Sequence, residues 1–397
     1  GGQAFSSTFP TTPGAYDRTH NGKGDGFVLK LDPTGSSLLY STYLGGSDVD
    51  CEVGGVLWEC SIAVDDSGAV YMGGLTNSPD YPTTSGSWDN SYGGNQDAFV
   101  TKLSPDGSSL TYSTFLGGAQ QDCFLSCSVD IDTSGSAYVT GGTLSEDIQG
   151  KFKVSKNAGW DGFVAKLNPT GSDLDYFTYF GGSGDEFAHS MAVNSANEAI
   201  IVGETYSTDF PTTPGTFATC ASCPTLPDAF VFKLNATDTQ MTYSTYLGGS
   251  EHDMGISVDT DNAGHAYITG KANSSDFPTT PGSSHPRDAN VFVSALPVGM
   301  GTVEITSAEY RFPDSVDPDI LSDRKTEIWA RMYRPADLSG GPYPLVMILH
   351  GNHATCGVYN PIYQYRWDSL LTYTKFGFCI PPFTVVPNHE GYVYLAE

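Results

Sequence analysis

One hydrophobic–polar pattern returns along the first three hundred residues. A seven-residue block (acid, small residue, Phe, Val, variable, Lys, Leu) occupies Asp25–Leu31, Asp97–Leu103, Asp161–Leu167 and Asp228–Leu234, and a degenerate fifth copy is read at 288–294. The copies stand 72, 64, 67 and 60 residues apart. Such short apolar runs rich in Val and Phe predict strands. Turns follow at 32–35, 104–107 and 168–171, each with Pro second and Gly last. Pro presets φ and Gly supplies positive φ, so these predict tight hairpins. A second strand ends in Gly-Gly at 39–46, 111–118, 175–182 and 242–249. Two more follow, at 61–65 and 68–74 in one copy and at 256–259 and 264–270 in another.

The pattern therefore predicts four short strands per unit, in tandem. A four-stranded unit repeated radially is a β-propeller blade. A solenoid is the alternative, but its coils are usually shorter and lack these hairpins. Across about residues 1–296 the units resemble the bacterial SBBP β-propeller repeat. That resemblance implies a mainly β fold with about five visible four-stranded blades, over a domain spanning 1–298. It implies architecture more than activity. Residues 1–10 align without gaps on 73–82, and 9–14 recur at 210–215 and 277–282. This phasing leads to the expectation that the chain starts inside a blade and that sequence upstream is missing.

After Leu296 the repeat stops. Strands are predicted over 302–310, 326–335 and the fully apolar 344–350, which runs into His350, Gly351, Asn352 and His353. An apolar strand entering His-Gly at a turn resembles the α/β-hydrolase family. The resemblance implies a partial α/β-hydrolase-like segment over 303–397, with His350, Gly351, Asn352 and His353 as the oxyanion-hole segment. It also makes 388–397 a loop and the start of the next helix. No Gly-x-Ser-x-Gly elbow occurs anywhere in the 397 residues. The expectation is a chain with no complete catalytic site; the alternative is a fragment of a hydrolase whose nucleophile lies beyond residue 397.

Lys and Arg number 18 against 45 Asp and Glu, a net charge of −27, of which −23 falls in residues 1–302. This excludes a basic stripe for nucleic acid and adsorption to an anionic membrane. No run approaches the roughly 18 apolar residues of a membrane helix, so no membrane insertion is expected. Charged residues are only 16% and aromatics 12%, enough apolar surface for a core. The acids are mostly Asp, which favours turns by bonding nearby backbone N–H groups.

The eight cysteines fall in local pairs: Cys51 with Cys60, Cys123 with Cys127, Cys220 with Cys223, and Cys356 with Cys379. The first two pairs occupy the same place in successive repeats, which suggests disulfides and an oxidising compartment. Cys220 and Cys223 also have the spacing of half a zinc site, but no second such pair exists. Asp259 and Asp261 precede Gly264 in the manner of a calcium loop. The loop lacks the downstream Glu, and the alternative is an Asx-capped turn. No cofactor is required by any motif. Asn235 and Asn273 open glycosylation sequons. His189 and His252 are read as surface residues.

These features lead to an extracellular or cell-surface scaffold that binds a protein or polysaccharide at its loop face. Two alternatives stand beside it. One is a fragment of a secreted serine hydrolase. The other is a fibre protomer that self-assembles through exposed strand edges.

Overall fold

The computed structural model describes residues 1–51, 60–148 and 156–296, apart from 158, 215, 217–219, 221–222, 224, 236–240, 262–263 and 280–290; beyond 296 it describes strands only. The chain divides into two compact units, Gly1–Met300 and Gly301–Glu397.

The first unit is five antiparallel sheets. Blade 1 contains β1 (Gly2–Ala4), β2 (Asp25–Leu31) and β3 (Leu38–Leu44). Blade 2 contains β4 (Ser61–Val64), β5 (Val70–Thr76), β6 (Asp97–Leu103) and β7 (Leu110–Leu116). Blade 3 contains β8 (Asp122–Ile131), β9 (Ala137–Thr143), β10 (Asp161–Leu167) and β11 (Leu174–Phe180). Blade 4 contains β12 (Glu186–Val193), β13 (Ala199–Thr205), β14 (Asp228–Leu234) and β15 (Met241–Leu247). Blade 5 contains β16 (Asp253–Thr260), β17 (Ala266–Ala272) and β18 (Val291–Leu296). Strands within each sheet lie in sequence order, and the leading strands β4, β8, β12 and β16 touch one another in succession. This is the packing of propeller blades around their inner strands.

The core lies between blades. Val70 and Met72 of β5 pack with Val28, Tyr40 and Leu44 of blade 1. Tyr71 and Leu75 of the same strand pack with Val129, Val139 and Phe163 of blade 3. The next two seams repeat the arrangement. Both faces of each middle strand are therefore apolar, which is why the sequence shows continuous runs there rather than polar–apolar alternation.

The structure moves the fifth copy of the block. Tyr71 pairs with Lys102 and the equivalent Tyr267 pairs with Ala295. The match to Ala98–Leu103 is thus Val291–Leu296, two residues beyond the 288–294 reading, because cross-strand register outranks a chance Asp-Ala.

The second unit corrects the expected α/β segment. Its described elements are β19 (Ile305–Arg311), β20 (Trp329–Pro335), β21 (Leu345–His350), β22 (Thr372–Tyr373), β23 (Cys379–Ile380) and β24 (Val393–Tyr394). Strands β19, β20 and β21 are antiparallel neighbours, β24 adds parallel to β21, and β22 pairs with β23. No helix occurs among the described residues. Where a helix was expected to start, Val393 and Tyr394 pair with Leu345 and Val346. That stretch is β-branched and aromatic and suits a pleated surface. The chain is therefore all-strand where described, and the α/β-hydrolase reading falls. His350 ends β21; Gly351, Asn352, His353 and Cys356 lie outside the described residues, and Cys379 opens β23.

Candidate functional site

The two ends of the blades differ. At one end, the turns after the inner strands and before the outer strands are short. At the other, long loops link the second strand to the third: 20 residues lie between Thr76 and Asp97, and 22 between Thr205 and Asp228. Long loops on a rigid scaffold are where binding residues concentrate.

Blades 2, 3 and 4 each bring two acids to the base of this end: Asp50 and Asp97, Asp122 and Asp161, Glu186 and Asp228. Asp97 opens β6 and Asp122 opens β8, and the first glycine of the Gly-Gly corner runs between them. A Cβ on Gly117 would lie 2.7 Å from Asp97 Cγ and 2.9 Å from Asp122 Oδ2. Asp50, Asp122, Glu186 and Asp253 are fully buried. Asp122 accepts hydrogen bonds from Gly118 N (2.8 Å) and Ser145 Oγ (3.0 Å) as well as from Thr143 Oγ1. Asp50, Glu186 and Asp253 repeat this with Gly46, Gly182 and Gly249 and with Ser78, Ser207 and Ser274. The second acid is less well met. Asp97 Oδ2 accepts from Gly93 N at 2.6 Å, but Oδ1 of Asp25, Asp97 and Asp161 has no hydrogen-bond partner. Burial pushes the carboxyls up: Asp50, Asp97 and Glu186 to about 7, Asp122 and Asp161 to about 6.

Other acids are turn chemistry. Asp80, Asp209 and Asp276 accept from the backbone N–H of Ser47, Ser183 and Ser250 at 2.7–2.8 Å, which holds their carboxyls below the usual range. At the short-turn end, Lys102 pairs with Asp65 (3.2 Å) and Lys166 with Asp132 (3.0 Å). Asp261 is the blade 5 counterpart. Ala295 stands where the lysine would be, and His265 Nδ1 meets Asp261 Oδ2 at 2.7 Å instead. His265 N also donates to Asp261 Oδ1 at 2.9 Å, an Asx-capped turn. Asp259 is exposed and accepts from Thr260 N at 2.7 Å. Among the described residues no group of three or more His, Cys, Asp or Glu side chains is placed to hold a metal ion.

Three disulfides join Cys51 to Cys60, Cys123 to Cys127 and Cys220 to Cys223. The first two close the entries of inner strands at the long-loop end. Asn235 is half-buried and Asn273 exposed.

The least repetitive part of the array lies at the seams of blades 3, 4 and 5. Phe124 of β8 stacks on Trp160 at 4.8 Å between centroids, and Phe187 of β12 lies 5.8 Å from Trp160. Tyr206 meets Phe187 edge-on at 6.5 Å. Phe124, Trp160 and Tyr206 are half-exposed and Phe187 is buried beneath them. Next to this platform His189, Glu204 and His252 converge. Sequence reading placed His189 on the surface; it sits in β12 at a bulge between Ala188 and Ser190 and is only 9% exposed, whereas Ile256 at the same bulge of blade 5 is exposed. Its Nε2 lies 3.9 Å from Glu204 Oε1, and His252 Nε2 lies 2.9 Å from Glu204 Oε2. Burial lowers the pKa of His189 and keeps it neutral. The departure from the repeat was a usable signal: the positions matching His189 and Glu204 in blade 5 are Ile256 and Lys271.

The family model of the SBBP beta-propeller repeat matches residues 242–278, which run from β15 through β17. No curated protein matches the chain in sequence. Two mutant forms of a Synechocystis apocarotenoid oxygenase are similar in structure, at TM-scores of 0.33 and 0.31 and 12% identity, over 82% of this chain and 71% of theirs. A likeness of that size carries no argument about activity. Together the repeat match and the five successive antiparallel sheets define a β-propeller module. Among the described residues no helix is long and apolar enough to cross a membrane.

Proposed function

We propose that this propeller is an extracellular or cell-surface scaffold that binds polysaccharide at its long-loop end. The observation that carries the reading is the half-exposed platform of Phe124, Trp160 and Tyr206 over buried Phe187. Flat aromatic faces supply large, rigid contact area for the C–H faces of sugar rings. The disulfides support an oxidising location. The low net basicity of the array fits a neutral glycan better than an anionic one.

Affinity electrophoresis of the full chain through gels containing soluble neutral polysaccharides tests this. Retardation by at least one glycan, relieved in Trp160→Ala, is expected. Unchanged mobility in all of them, or equal retardation of the variant, would overturn the reading.

A further inference from the structure

We propose that the Cys123–Cys127 disulfide is a positioning element: it holds an insertion in β8 in the conformation that lays Phe124 on Trp160. Its bearing on glycan binding rests on the platform reading above; its bearing on the geometry does not. The insertion shows in the strand register. In blade 3 the ten residues of β8 face the seven of β9, and Cys123, Leu125 and Ser126 fall outside the pairing. In blades 4 and 5 the eight residues of β12 and of β16 face seven, with one bulge each. Blade 3 therefore carries two residues more than these sisters at this strand, and the disulfide closes the loop they make.

The crosslink is anchored in the core and the ring it carries is not. Cys123 and Cys127 are buried between blades 2 and 3, whereas Phe124 is half-exposed and stacks on Trp160 at 4.8 Å, their planes 23° apart. The neighbouring strand makes room: a Cβ on Gly141 would lie 2.9 Å from both Cys123 Sγ and Ser126 O. Ser126 Oγ donates to His189 O at 2.6 Å, which ties the far side of the insertion to β12, the strand that carries Phe187. The backbone between these ties is strained. Cys123 and Leu125 have φ of 60° and 66°, the left-handed region that residues with a Cβ rarely adopt. Such residues persist where the surroundings over-determine them, and they cluster at ligand sites. Without the crosslink the insertion relaxes out of that conformation, and the platform loses the face that Phe124 supplies.

Labelling the full chain with 5-fluorotryptophan gives one ¹⁹F resonance for each of its five tryptophans, and that of Trp160 is the one missing in Trp160→Phe. In a double variant, Cys123→Ala with Cys127→Ala, that resonance should shift as it does in Phe124→Ala. Apparent affinity for hydroxyethyl cellulose, a soluble neutral glycan, should fall about 2–10-fold, the worth of one aromatic contact. Replacing Cys51 and Cys60 by Ser controls for a merely structural role. That disulfide closes a loop at the equivalent place in blade 2, with a similar entropic effect, and packs in the seam of blades 1 and 2. It should leave both readouts at the parent's values. An unmoved Trp160 resonance in the Cys123 and Cys127 variant, or an equal shift in the control, would overturn the proposal. A shifted resonance in a chain that binds no glycan would uphold the positioning and overturn the platform reading instead. Should the double variant fail to fold, Ser126→Ala decides: loss of the bond to His189 O should shift the same resonance in the same direction, and no shift would overturn the proposal.

Discussion

Replacing Asp97 with Asn removes one ionisable group from a pair of buried acids flanking Gly117. Asp97 is 1% exposed and its Oδ1 has no hydrogen-bond partner. Burial, with the Asp122 charge adding to it, raises its pKa from 3.8 to about 7. The sign follows from linkage. Between pH 4 and 7 the folded protein binds a proton at this site that the unfolded chain has released, so stability falls as pH rises through that window. A rise of about 3 units corresponds to a ceiling of ~4 kcal/mol, at about 1.4 kcal/mol per unit. Coupling to Asp122 and relaxation around the site reduce the net effect to about 1–3 kcal/mol. Asn keeps a carbonyl for the Gly93 N–H and carries no charge. Urea denaturation at pH 5 and pH 8, followed by tryptophan fluorescence, should find the variant more stable than the parent by about a third of that amount at pH 5, and by the full amount at pH 8. A parent whose stability is flat or rising from pH 5 to 8, or a variant less stable than the parent at pH 8, would refute the reasoning.

Gly117→Ala should destabilise by about 1–3 kcal/mol, because its Cβ would meet both carboxyl groups within 3 Å; the urea midpoint reads this. Replacing Cys51 and Cys60 together by Ser opens a loop with a sequence separation of 9 and should cost about 2–3 kcal/mol at constant pH. His265→Ala takes a hydrogen-bond partner from buried Asp261 and should cost about 1–3 kcal/mol; adding Ala295→Lys should restore much of it, since blades 2 and 3 use a lysine there. A double-mutant cycle showing no coupling between 265 and 295 would contradict the shared role of these positions.

The blade plan was legible because it is written several times over. Asp-x-Phe-Val, the Pro-Gly turns and the Gly-Gly corners each recur, so errors in one copy are corrected by its sisters. The fifth copy, standing alone at the end, was misplaced by two residues, and only pairing of Tyr267 with Ala295 corrects it. The C-terminal unit had a single apolar strand entering His-Gly as its guide, and Val393–Tyr394 took the strand partner that a helix would have left free. His189 was not legible as a buried group, because a bulge breaks the period-two rule that assigns side chains to faces. Its meeting with Glu204 and His252 depends on two neighbouring sheets, and separations of 15 and 48 residues along the chain give no local pattern to read.

Alternate residues of each middle strand belong to different seams, so every sheet is a lamina glued on both sides. Cohesion therefore resides in the joints, as in plywood, and each joint has nearly the same composition as the next. Inserting or deleting one sequence unit adds or removes one lamina together with one joint, and the surfaces left facing each other still match. Lengthening such an array by duplication is then close to neutral in free energy per unit, whereas a specialised joint such as the one holding His189 is diluted by every copy added without it.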